Sequence, residues 1–110
     1  MSSVTGNVVN NTDFTVFAKA NEPSHGLPPE ILVPTIPAKS TKAGVFVANS
    51  DGAGVEGSVS LTGGVTFALI YDNPVVGSNS GSVTAPSGYT GNCQVGGGTN
   101  ATFTYTIGPA

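Results

Sequence analysis

Residues 55–79 constrain the fold more than any other stretch, because two alternating runs meet there at a pair of glycines. On the first run Val55, Val59 and Leu61 alternate with Glu56, Ser58 and Ser60, with Gly57 as a gap. On the second, Val65, Phe67, Leu69 and Tyr71 share one face, and Thr66, Ala68 and Ile70 the other. Period-two alternation puts successive side chains on opposite faces of a strand, and Gly63-Gly64 between the runs predicts a β-hairpin with a type I′ turn. The second run is apolar on both faces, which predicts a central strand covered on both sides. Asp72-Asn73-Pro74 ends it, since proline brings no amide donor and restricts the residue before it. Val75-Val76 and then Gly77-Ser78-Asn79 present an apolar pair on a turn-rich loop.

The rest of the chain repeats the pattern in shorter pieces. Residues 4–9, 14–20, 44–48 and 80–85 read as strands, with 91–95 a weak one, separated by turn formers such as Asn10-Asn11-Thr12-Asp13 and Gly96-Gly97-Gly98. Residues 30–36 read as a short edge strand, because Pro34 and Pro37 interrupt its donors. Residues 38–43 read as a polar, basic turn, and 21–29 as a loop carrying the single histidine, His25. Residues 101–107 are the cleanest amphipathic run, with Phe103, Tyr105 and Ile107 opposite Thr102, Thr104 and Thr106. Sixteen glycines and eight prolines in 110 residues leave no room for long helices. Eight to nine short strands at regular spacing predict one all-β domain, residues 1–110, folded as an antiparallel β-sandwich.

Charge excludes some partners. Lys19, Lys39 and Lys42 are the only basic residues against six acids, a net charge of −3. A nucleic-acid surface needs clustered cations to release counterions, so that partner class is excluded, as is a polybasic membrane patch. Cys93 is alone, so no disulfide can form within the chain, and a free, partly buried thiol is expected. No charged start followed by an apolar run is visible at the N-terminus, which argues against a signal peptide. A cytoplasmic protein, or one released without such a signal to act on target-cell membranes, is the corresponding expectation.

Catalytic chemistry finds little to work with. Asp51, Glu56 and Asp72 could approach one another, but Asp51 and Asp72 also suit turns that they close through their own side chains. His25 has only Glu22 nearby in sequence, and a catalytic histidine needs a partner to orient it. One histidine and one cysteine offer no metal-ligand spacing, and the acids do not follow a calcium-loop pattern. The chain therefore reads as a binding protein without enzymatic activity or cofactor. Its candidate surface is the end of the sandwich where Asp51, Glu56 and residues 71–79 could meet. Tyrosine, carboxylates and amides beside exposed valines suit a sugar or a lipid headgroup.

Several motifs resemble the aegerolysins, small β-sandwich cytolysins of fungi and bacteria. They are Val9-Asn10-Asn11-Thr12, Phe46-Val47-Ala48-Asn49-Ser50-Asp51-Gly52, Val55-Glu56-Gly57-Ser58-Val59, Tyr71-Asp72-Asn73-Pro74 with Gly77-Ser78-Asn79, and Phe103-Thr104-Tyr105-Thr106-Ile107. The similarity runs nearly the whole length and is greatest to the small component of binary insecticidal toxins. It implies recognition of a membrane lipid, often a sphingolipid, and pore formation with a larger protein partner, with homo-oligomers on the membrane left open. It implies a lipid or ligand site at Glu56, Tyr71, Asp72, Asn73, Pro74, Val75, Val76, Ser78 and Asn79. Glu56-Gly57 stands where mushroom members place a glutamate near the headgroup. Their loop tryptophans are replaced here by Tyr71 and Val75 or Val76, in a chain with no Trp. A lectin-like carbohydrate- or protein-binding module without membrane activity is the competing reading.

Overall fold

The computed structural model describes residues 2–110; Met1, where the N-terminal reading began, lies outside them. Two five-stranded sheets face each other, and no helix occurs among the described residues. In chain order the strands are β1 Ser3–Asn10, β2 Val16–Ala20, β3 Glu30–Ile31, β4 Thr35–Ile36 and β5 Ser40–Asn49. They continue as β6 Val55–Thr62, β7 Thr66–Asn73, β8 Ser80–Thr84, β9 Tyr89–Gln94 and β10 Asn100–Pro109. Sheet A runs β3-β5-β1-β10-β9 and sheet B runs β4-β2-β6-β7-β8. Pairing is antiparallel except between β1 and β10, where the first and last strands lie side by side in parallel. The predicted β-sandwich is the fold observed.

Alternation builds the core. Val4 and Val8 from β1, Phe103, Tyr105 and Ile107 from β10, and Phe67, Leu69 and Tyr71 from β7 are all fully buried between the sheets. Phe46 stacks against Tyr71 and Tyr105 at ring-centroid distances of 5.6 and 6.1 Å. Tilted aromatic pairs of this kind stabilise a core beyond the area they bury.

Several local expectations are corrected. β7 is central in its sheet, but only one face is covered: Thr66 and Ile70 are exposed, because nothing packs on the outside of sheet B there. Neither hairpin glycine has a positive φ, so the turn is not type I′; the loop spans residues 63–65, closed by the Gly63 amide on the Val65 carbonyl. Gly63 is needed for close approach instead, since a Cβ there would stand 2.5 Å from the Thr15 carbonyl oxygen. The segment around Pro34 is two dipeptide strands at the edges of different sheets, so it crosses from one layer to the other. The basic turn is shorter than expected, with β5 beginning at Ser40. β5 and β10 each reach 10 residues, longer than their apolar runs suggest.

Candidate functional site

Strand directions gather one set of connections at one end of the sandwich: β5–β6, β7–β8 and β9–β10. Each connection is shaped by glycine in a left-handed conformation, with φ of 114° at Gly52, 91° at Gly54, 109° at Gly77 and 89° at Gly98. The buried Ser50 Oγ accepts from the Gly52 and Gly54 amides at 2.9 and 3.2 Å, folding the first turn tightly. Between the three connections lies a cleft of about 670 Å3.

Asn73 is the hub of this end. It is 3% exposed, and its Nδ2 donates to the carbonyls of Ser3, Gly98 and Thr99 at 3.0, 3.3 and 2.9 Å. Asn79 repeats the device, its Nδ2 donating to Gly96 and Gly98 at 3.0 and 3.1 Å. Two amides on the β7–β8 side thereby hold the β9–β10 loop, whose three glycines have no side chains of their own to do so. Pro74, Val75, Ser78 and Asn79 join Asn73 in lining the cleft, whose walls carry no charged side chain. Val75 in that lining and its neighbour Val76, just outside it, have 70% and 87% of their surface exposed. Val95, on the opposite wall, and Leu27, held to this end by its amide on the Asn49 carbonyl, are also exposed apolar residues.

The remaining candidate residues stand apart from the cleft lining. Tyr71 lies in the core, its hydroxyl fully buried without a hydrogen-bond partner among the described residues. Burial pushes its pKa up to about 12. Glu56 and Asp72 are cross-strand neighbours on the outer face of sheet B. His25, read from sequence as a free loop histidine, bridges to β6: its backbone pairs with Glu56, and its Nε2 lies 3.6 Å from Oε1. Partial burial raises the Asp72 pKa, the Glu56 charge adds to the rise, and His25 opposes it. Glu56, Asp72 and His25 thus form one cluster on the flank beside the cleft. Ser50 and residues 95–99, which line the cleft, were not among the site residues expected from the sequence. The three consecutive glycines were visible, but only as a turn.

No protein-family model and no curated protein matches the sequence. Solved structures share the fold. RahU, in a complex with a TRIS molecule, superposes with a TM-score of 0.75 at 19% identity, over 99% of this chain and 96% of that one. IP-1A from Alcaligenes faecalis gives 0.67 at 17% identity, covering 98% and 91%. The lipid-binding protein Nakanori gives 0.67 at 14% identity, covering 96% and 70%. At these identities the likeness is one of fold.

Proposed function

We propose that this chain is a membrane-lipid-binding protein that docks through the cleft end of its sandwich, as the targeting component of a two-part pore-forming toxin. The observation that carries the reading is the exposure of Val75, in the lining of a cleft without charged side chains, and of Val76 next to it. Hydroxyls, amides and backbone groups in the cleft suit a neutral or zwitterionic headgroup, while the two valines enter the acyl boundary below it. Leu27 and Val95 extend the apolar rim. Asp51, Glu56 and Asp72 lie at or beside this end, and Lys39 and Lys42 near the other, so the docking end repels anionic lipids. The shared fold with a lipid-binding protein supports the reading, as does the aegerolysin resemblance, which also suggests sphingolipid as the target and a larger partner for the pore.

Vesicle sedimentation tests it. Vesicles of zwitterionic sphingolipid and sterol should pull the protein down, and replacing part of the lipid by an anionic one should weaken binding at low salt. Val75→Asp with Val76→Asp should weaken it by more than about tenfold, since each valine withdrawn from water contributes roughly 1.5 kcal/mol. We take the headgroup to reach from the cleft onto the flank where Glu56 stands, so Glu56→Ala should change which headgroup is preferred while the protein stays folded. Undiminished sedimentation of the double aspartate variant would place docking elsewhere. Capture by neutral glycans, with no vesicle bound, would favour the lectin-like reading instead.

A further inference from the structure

At the opposite end of the sandwich an open cleft of about 400 Å3 lies on the outer face of sheet A. One missing side chain helps to make it. Along β10 the alternation turns Thr106 and Gly108 outward, and on β9 Asn92 and Thr90 stand directly opposite them. A Cβ at Gly108 would reach within 3.3 Å of the Asn11 side chain, so the glycine leaves the gap that Asn11 and Lys39 border. No carboxylate lines this cleft. It also lies at the more basic end of the molecule. Lys42 stands opposite Val8 and Lys19 opposite Ser60 in the same half, where Asp13 is the one acid among the described residues.

We propose that this cleft is a second binding site, for a small carboxylate carried on a hydroxylated ring, the chemistry of a uronic or sialic acid. The Lys39 ammonium has three donors. One goes to the Asn11 carbonyl at 2.9 Å and another to the Asp13 carboxylate at 3.3 Å, leaving the third free. Asp13 shows which group this lysine takes, and with its side chain 92% exposed it is easily displaced by a better-held carboxylate. A single lysine matches one negative charge, whereas phosphate recognition usually calls on arginine forks or a nest of backbone amides. The side chains of Asn11, Thr90, Asn92 and Thr106 make no hydrogen bond to other described residues, so their amides and hydroxyls are available to ring hydroxyls. Pro109 adds an apolar surface for the C–H face of a ring.

The backbone at Lys39 supplies a clean test. Its φ of 56° is left-handed, a conformation that glycine adopts without strain and lysine does not. Lys39→Gly therefore removes the ammonium while relieving the turn. In the full chain, followed by amide NMR, D-glucuronate should shift Asn11, Gly91, Asn92 and Gly108 and bind about tenfold more tightly than D-glucose or acetate. Lys39→Gly should melt no lower than the parent and lose about that factor in glucuronate affinity. Gly108→Val, which fills the gap without touching the lysine, should lose it too. Glucose or acetate binding as tightly as glucuronate would overturn the proposal. So would shifts confined to residues outside the cleft, no binding at all, or full affinity in a folded Lys39→Gly protein. Vesicle docking involves the other end, so its failure would leave this result standing.

Discussion

Gly57 and Tyr71 face each other across the β6–β7 pair, and the tyrosine hydroxyl fills the space that a side chain at Gly57 would need. A Cβ on Gly57 would stand 2.6 Å from that oxygen and 3.1 Å from the Pro23 side chain. The gap in the alternation of β6 is thus complementary to the largest buried side chain of β7.

This pair makes a double-mutant prediction. Gly57→Ala should destabilise by about 2 kcal/mol through overpacking. Tyr71→Phe should raise stability by about 1 kcal/mol, because the hydroxyl it removes is buried without a partner. In the double variant the alanine gains room, so the two effects should couple favourably by about 1 kcal/mol. Urea unfolding of the four proteins measures the cycle; strict additivity would mean that the hydroxyl does not occupy this space. By contrast, Tyr105→Phe should cost about 1 kcal/mol, since that hydroxyl donates to the Ile70 carbonyl at 2.8 Å.

Alkaline pH should act through the same side chain. Burial holds the folded Tyr71 pKa at about 12, against about 10 in the unfolded chain. Above pH 10 the unfolded state therefore loses a proton that the folded state keeps. Stability present below pH 10 should fall as pH rises toward 12, by roughly 2 to 3 kcal/mol from this group. Burial raises Tyr105 as well, and it should add to the fall. Denaturation midpoints measured from pH 8 to 12 should decline less steeply in Tyr71→Phe than in the parent. Parallel curves would show that Tyr71 titrates alike in both states.

What the chain revealed in advance, and what it withheld, divides along local and non-local lines. The alternation of residues 101–107 marked β10, and the interruption at residues 72–74 marked the end of β7, because both signals lie within a few residues. The parallel pairing of β1 with β10 joins strands from opposite ends of the chain, and no local pattern encodes it. The two sides of Pro34 entering different sheets is likewise a tertiary outcome. Among the residues lining the candidate cleft, Pro74, Val75, Ser78 and Asn79 were legible from turn chemistry beside an apolar pair. Residues 95–99 were not, because glycines advertise a turn but say nothing of which neighbour holds them. The His25–Glu56 bridge joins residues 31 positions apart through backbone pairing, which explains why His25 read as unpartnered.

Asn73 should prove the structural anchor of the cleft end. Asn73→Ala leaves three carbonyls without their donor and should destabilise by about 2 to 3 kcal/mol. Asn73→Asp should be worse, since a carboxylate would face the same carbonyls. Hydrogen exchange should quicken first in residues 95–99, the loop that this amide holds. Unchanged exchange there in a folded variant would show that Asn79 alone fixes the loop.

Membrane damage should require a second protein. A transmembrane β-strand needs about 9–11 residues, and β5 and β10 are long enough at 10 each, so length is no obstacle. The obstacle is what those strands hold. The inward face of β10 carries Ala101, Phe103, Tyr105 and Ile107, each at most 2% exposed, and its flanks pair with β1 and β9. Withdrawing it would break both ladders and expose three large core side chains, at roughly 1.5 to 3 kcal/mol each. Its parallel pairing with β1 also differs from the all-antiparallel ladder of bacterial single-chain outer-membrane barrels. Val75 and Val76, by contrast, already stand at the surface, so the docking proposed for them needs no rearrangement. Dye-loaded vesicles of the preferred lipid should therefore bind this protein and stay sealed, then leak when a larger partner is added. Rapid leakage with the purified chain alone would mean that the sandwich opens on the membrane, and β10 would then be the first strand to probe for lipid exposure.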